Sequence, residues 1–308
     1  MKALQHILAA SDSTDGSRFA VDRGFQLASA NNAPYTIAHG IGIDDLTLLQ
    51  GLLADTLPEV STSLTAEAKR RLNQQADEGA QHFGVNATVE VDTKRASRFV
   101  AELSEANSTD LLLLGGSSAD LAHRAIMGST ASRLQRTSRC PVLTVKKPVV
   151  GAYKRALIAV DFSPDCDALV HAAQRVAPEA TLVLLHTSEV PFESKLQVAG
   201  VTDEARYEFR VRMRERAMQR LRNFADELQL AAGTTTTLVT FGDPATQILE
   251  HETDYDCDLI VMGRHNPMLA ERLLLGSVTK RVLSESQGDV LVVLQERREP
   301  SEHVEVRL

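Results

Sequence analysis

Asp258-Leu259-Ile260-Val261-Met262-Gly263-Arg264-His265-Asn266, followed nine residues later by Gly276-Ser277-Val278-Thr279, is the stretch on which the fold reading turns. The apolar run 259–262 has the length and continuity of a buried strand. A glycine placed right after a strand lets another backbone or a ligand come close. Gly276-Ser277 reads as the opening of a helix, whose first N–H groups and positive dipole end suit an anion. The hydroxyls of Ser277 and Thr279 add donors. Strand, glycine loop and helix start together mark the carboxyl edge of an open parallel sheet, where such sheets bind ligands.

The same arrangement occurs earlier in the chain. Leu111 to Gly115 (LLLLG) precedes Leu259 to Gly263 (LIVMG) by 148 positions, and Gly128-Ser129 precedes Gly276-Ser277 by the same 148. Val142-Leu143 and Val290-Leu291 keep that offset, while Asp12 and Asp161, each ending an apolar run, are 149 apart. His39 and His186 are 147 apart, a drift that loop insertions explain. The chain is therefore read as two copies, residues 1–147 and 152–296, with a polar tail at 297–308. Pro148 and Gly151 mark the linker.

Working outward within the first copy, strands are expected at 7–11, 35–38, 87–91, 111–114 and 142–145, and helices at 16–30, 64–83, 98–106 and 129–136. The long helix carries an apolar stripe through Leu64, Ala68, Leu72, Ala76 and Phe83. Its counterpart at 204–230 carries one through Phe209, Met213, Ala217, Leu221, Phe224 and Leu228. Strands alternating with helices, and strands apolar throughout, predict a mostly parallel, doubly wound sheet covered on both faces.

Composition narrows the function. The 308 residues suit two domains, and the 43% hydrophobic content supports a packed core. A formal net charge of −8, no Trp and 4% aromatics disfavour nucleic acid as a partner. Three scattered cysteines with no CxxC disfavour a disulfide or zinc scaffold and favour a reducing cytoplasm. No apolar run has the length of a membrane span. The histidines lack metal-ligand spacing, so no metal site is expected. Ser13 and Ser163 lack a hydrolase elbow and read as helix caps. Six arginines between Arg210 and Arg222 read as a solvated face paired with Glu208, Glu215 and Asp226.

Taken together, several segments closely resemble the universal stress protein family. They are the openings that end in Asp12 and Asp161, Gly242-Asp243-Pro244-Ala245, Cys140-Pro141-Val142-Leu143, and the two Gly…Gly-Ser stretches. The resemblance covers nearly the whole chain as two copies. It implies in each a five-stranded parallel sheet of order 3-2-1-4-5, an adenine-nucleotide-hydrolase-like fold. It implies pairing of the copies through their last strands, 142–145 against 290–294, which mimics a single-domain dimer and leaves a further homodimer open. It also implies binding of ATP or AMP, with or without Mg2+. The residues that carry over to the second copy are Asp161 at the adenosine end, Thr187 beside it, and Gly263, Arg264, His265 and Asn266 at ribose and phosphates. Gly276, Ser277, Val278 and Thr279 hold the phosphate tail. The weaker first-copy set is Asp12, Gly115, Ser118, Gly128, Ser129 and Thr130.

Nucleotide-binding members carry Gly-x2-Gly-x9-Gly-Ser/Thr, and here the middle glycine is Asn266 in one copy and Ser118 in the other. Asn tolerates a left-handed backbone better than Ser does, so the second copy keeps more of the loop's character. The family's Val after the second strand aligns with Thr187 in the second copy and Gly40 in the first, which weakens the adenine side, and the first copy has Thr93-Lys94-Arg95-Ala96 where the second has Gly242-Asp243-Pro244-Ala245. A regulatory stress-response nucleotide binder is the expected function, with slow ATP hydrolysis at most, since no Walker lysine or acidic metal pair is apparent. The competing expectation is a scaffold or chaperone-like interaction protein with degenerate sites. An adenylating ligase is disfavoured by the absence of a Ser-Gly-Gly-x-Asp-Ser pyrophosphate loop.

Overall fold

The computed structural model describes residues 3–42, 57–116, 128–188, 202–265 and 275–295. Ser118, Asn266 and the tail at 297–308 lie outside the described residues. In the first domain the order is β1 (Ile7–Ala10), α1 (Asp15–Asn31), β2 (Tyr35–Gly40), α2 (Leu57–Phe83), β3 (Ala87–Asp92), α3 (Ala96–Ala106), β4 (Leu111–Gly115), α4 (Ser129–Thr137) and β5 (Val142–Val145). The second domain repeats it: β6 (Arg155–Ala159), α5 (Asp167–Val176), β7 (Thr181–Ser188), α6 (Asp203–Glu227), β8 (Thr235–Phe241), α7 (Pro244–Asp254), β9 (Leu259–His265), α8 (Ser277–Glu285) and β10 (Asp289–Gln295). Among the described residues no helix is long and apolar enough to cross a membrane.

The strands form one sheet of order β3-β2-β1-β4-β5-β10-β9-β6-β7-β8. Neighbours within each domain are parallel, as βαβ crossovers require. The two domains join where β5 meets β10 antiparallel, with Val142, Leu143 and Thr144 opposite Val292, Leu291 and Val290. All four residues of β5 are buried, so this edge is a core strand that happens to be the last of its domain. On one sheet face a single apolar cluster runs through both domains, including Leu143 and Val145 from the first and Leu291 and Val293 from the second. On the other face each domain has its own cluster, one built on Leu112 and Leu114, the other on Ile260 and Met262.

Two details differ from the sequence pattern. Gly115 and Gly263 lie inside β4 and β9, not after them. The long helices bury only part of their stripes: Leu72 and Ala76 are buried, but Leu64 is 46% exposed, and Phe209 is 39% exposed although Leu221 is buried. The reason is length. The 25 residues of α6 extend about 38 Å. The seven-residue strand β8 covers about 23 Å, so the amino-terminal half of the helix has no sheet beneath it. On its outer face α6 carries the Arg212–Glu208 pair and an Arg206–Asp203 pair, while Arg220 turns to Phe162.

A buried polar knot pins the linker to both domains. Asp289, 2% exposed, accepts from the Lys146 backbone N–H (2.8 Å) and from the Tyr153 hydroxyl (2.5 Å). Arg23 of α1 lies over the Tyr153 ring at 4.1 Å, stands 3.7 Å from Asp289 and donates to the Gly151 carbonyl at 2.7 Å. Burial pushes the Asp289 carboxyl up.

Burial brings the Lys146 ammonium down from its ordinary 10.5 to about 8, against the pull of Glu252 and Asp289. Above that pH the folded chain has lost this proton while the unfolded chain keeps it up to 10.5, so the lysine's penalty is relieved as pH rises through this window. Denaturant midpoints of the wild type should therefore climb relative to those of Lys146→Met between pH about 8 and about 10. Parallel profiles for the two proteins would contradict the assignment.

Candidate functional site

At the carboxyl ends of β6, β7 and β9 the second domain opens into a cavity of about 660 Å³. That lies within the range of about 300–1,000 Å³ usual for small-molecule sites. The corresponding cavity in the first domain is about 400 Å³.

Asp161, Thr187, Gly263 and Arg264 line the larger cavity, and Gly276, Ser277, Val278 and Thr279 close one side of it. Asp12, Gly115, Gly128, Ser129 and Thr130 line the smaller one. His265 ends β9 through its backbone. Asn266 and Ser118 fall outside the described residues.

The helix starts at the two cavities share a property. Gly276 precedes α8 and Gly128 precedes α4, and among the described residues no side chain caps either helix. Thr14 caps α1, Thr202 caps α6 and Asp243 caps α7 through their side chains, while Arg95 and Cys166 give α3 and α5 no such cap. Neither glycine is needed by the backbone, since φ is −56° at Gly276 and −57° at Gly128. Among the described residues neither meets a close neighbour: a Cβ on Gly276 would come no nearer than 3.9 Å to Thr279 Oγ1, and one on Gly128 would meet nothing within 4 Å. The first residues of these helices line the cavities, and their amides are donors for which the N-cap supplies no acceptor.

The glycines in the strands have a different cause. A Cβ on Gly263 would lie 2.1 Å from Gln295 Oε1, and one on Gly115 would lie 2.5 Å from the Gly16 backbone. Backbone approach requires glycine at 115, whereas at 263 the neighbour is the movable end of the Gln295 side chain. Arg264 lines the cavity, but its guanidinium donates to the carbonyls of Arg136 and Ser138 in the first domain.

After the first strand of each domain the chain makes the same turn. Asp12 Oδ1 accepts from the Thr14 N–H at 3.0 Å, and Asp161 Oδ1 accepts from the Ser163 N–H at 2.9 Å. Burial opposes ionisation of Asp12, yet the bonds from Thr14 and Ser17 hold its carboxyl below the usual range. Ser13 and Ser163 are not helix caps. Ser13 occupies the left-handed region (φ 64°) with Thr14 as the cap, and Ser163 accepts from Gln295 Nε2 at 2.8 Å. Phe162, also left-handed (φ 58°), is held between His186 at 4.4 Å and the Arg220 guanidinium at 4.2 Å.

Both domains match the universal stress protein family, at residues 3–146 and 152–293. The chain belongs to that family. Universal stress protein MJ0577 of Methanocaldococcus jannaschii is 30% identical over 153 residues, covering 46% of this chain and 94% of that protein. The crystal structure of a universal stress protein from Archaeoglobus fulgidus superposes with TM-score 0.64 at 19% identity, over 94% of this chain and 98% of that one. A Pseudomonas aeruginosa structure described as a putative universal stress protein superposes with TM-score 0.62 at 18% identity, over 95% and 94%.

Within this tandem universal stress protein the two cavities differ for a local reason. A Cβ on Gly40 would lie 2.4 Å from Ala96 Cα, so α3 presses against the end of β2. At the equivalent position the second domain carries Thr187, whose side chain needs that space, and the cavity is wider. There Asp243 accepts from the Thr246 N–H (2.9 Å) and from Arg281 Nη1 (2.6 Å), whereas Arg95 gives α3 no side-chain cap. The sequence reading missed the apolar wall of Leu185, Ile248 and Met262, and His186. His186 Nδ1 donates to the Val160 carbonyl at 2.7 Å, as His39 Nδ1 does to that of Ser11 at 2.6 Å. The repeat of these two histidines was the available signal. Burial lowers the His186 pKa and keeps the ring neutral near pH 7.

Gly276→Ser should raise ligand-free stability by a few tenths of a kcal/mol, about the difference between Ser and Gly at an N-cap. Thermal unfolding of the nucleotide-free protein checks this; a clear loss of stability would mean that the glycine serves the fold.

Proposed function

We propose that the second domain binds an adenine nucleotide, ATP or AMP, as the sensing element of a stress-response regulator. The observation that carries this reading is the uncapped start of α8 opening into a cavity with an apolar wall. An anion there satisfies the amides of Ser277, Val278 and Thr279 and meets the positive end of the helix dipole. Ser277 and Thr279 add hydroxyls. Leu185, Ile248 and Met262 offer an apolar surface to a base, with Asp161 and Thr187 as polar partners for the adenosine end. His265 and Asn266 are assigned to the phosphate side, and any Mg2+ comes with the phosphates. Arg264 is left out of the phosphate set because its guanidinium is held by α4. The narrower first-domain cavity favours weaker nucleotide binding there, or a role for that domain as an interaction scaffold. The reading also places the protein in the cytoplasm.

Nucleotide released from the purified, denatured protein should be identified by mass spectrometry as ATP or AMP, and calorimetry on the stripped protein should show binding. Ser277→Asp should abolish it by placing a carboxylate at the helix start. Gly276→Ser should weaken it about tenfold or more, the cost of losing one hydrogen bond to a charged group. Absence of released nucleotide, together with no heat from ATP or AMP, would leave the scaffold as the better account.

A further inference from the structure

Two basic side chains cross the seam between the domains and end on helix carboxyl termini. Arg264, in the wall of the second-domain cavity, donates from Nη1 to the Arg136 carbonyl and from Nη2 to the Ser138 carbonyl. Those carbonyls close α4. In the other direction Lys146 Nζ donates to the Ser286 carbonyl at 2.8 Å and to the Ser286 hydroxyl at 2.6 Å. Ser286 closes α8. Ser138 and Ser286 are equivalent positions, 148 apart. Each helix thus opens at one cavity and hands its last carbonyls to a cation from the other domain. That contact satisfies orphan acceptors and favours the negative end of the dipole.

The acceptors are equivalent, but the donors are not. Gly116 stands where Arg264 stands in the second domain, and Leu294 stands where Lys146 stands in the first. A Cβ on Gly116 would lie 2.9 Å from Lys146 Cγ, so the glycine leaves the space that the lysine crosses. Gly116 also lines the first-domain cavity, and its N–H donates to the Val145 carbonyl at 2.7 Å, one residue before Lys146. Two continuous paths result. One runs from the second cavity through Arg264 and Ser138 along α4 to the first cavity. The other runs from the start of α8 through Ser286 and Lys146 to Gly116. The nine residues of α4 span only about 13 Å, short enough to move as a rigid piece.

We propose that these reciprocal clamps couple the two cavities, so that filling the second-domain cavity is felt at the first through Arg264 and Lys146. The inference rests on the nucleotide reading above and names the regulation of that site. A ligand that draws on the start of α8 or the end of β9 displaces atoms that hold the other domain. By linkage the coupling runs equally in reverse.

Hydrogen–deuterium exchange on the full chain, with and without ATP, tests it in the wild type, Arg264→Met and Lys146→Met. In the wild type ATP should slow exchange at 277–285 and also at 129–137 and 111–116. Arg264→Met should cut the ATP-induced protection at 129–137 at least about fivefold, the lower end of usual coupling. Lys146→Met should do the same at 111–116, and it keeps the test decisive if the arginine variant fails to fold. Protection at 277–285 should persist in Lys146→Met, whose side chain lines neither cavity. If 277–285 is protected and the first-domain segments respond equally in wild type and both variants, ATP is acting there directly and the coupling is refuted. If ATP protects nothing at 277–285, the nucleotide reading has failed and the coupling falls with it.

Discussion

The antiparallel contact of β5 with β10 sets the geometry of everything else. Every other strand pair is parallel, so this one contact turns the second domain's strands to face the opposite way. The two cavities, each at the carboxyl ends of its own strands, therefore open at opposite edges of the sheet. Each helix runs back against its strands, so the end of α4 reaches the edge where β9 finishes. That is why Arg264 meets Ser138, and why Lys146, just past β5, meets Ser286. The clamps follow from the pseudo-twofold relation of the halves. A parallel junction would have placed cation and carbonyl at opposite edges.

Much of this was legible in the residue pattern. The repeat gave the two domains, the strand order came with the family resemblance, and the pairing of the last strands was expected where it occurs. The helix starts at Gly128 and Gly276 were legible because capping chemistry is local. Interactions distant in sequence were not. Gln295 under Gly263, α1 against Gly115, and Arg264 on α4 each depend on packing between segments far apart in the chain. No period or motif announces them. The exposed halves of α2 and α6 were misread for a related reason: an apolar stripe records which face is inward, not how far the sheet beneath it extends.

The glycines illustrate how one residue type answers several demands. Gly115 is small because the backbone of α1 occupies the Cβ position, and Gly40 because that of α3 does; at Gly263 the end of the Gln295 side chain fills the space. Gly128 and Gly276 have ordinary φ and open space among the described residues; Thr or Asp side chains cap α1, α6 and α7, while α3 and α5 have no side-chain cap. A glycine at the N-cap forgoes only about a few tenths of a kcal/mol relative to Ser. What sets α4 and α8 apart is their place: each opens at the mouth of a cavity, where a helix start suits an anion.

Joining the two copies in one chain also removes a constraint that a homodimer cannot escape. In a symmetric dimer any substitution appears on both sides of the seam, so an arginine at the Arg264 position would face its own copy's lysine at the Lys146 position. Here Gly116 admits Lys146, and Leu294 accompanies Arg264. Each clamp has its own donor and neither crowds the other. The same freedom separates Gly40 from Thr187 and Arg95 from Asp243, which narrows one cavity and widens the other. These differences lie where the domains touch and where the cavities open.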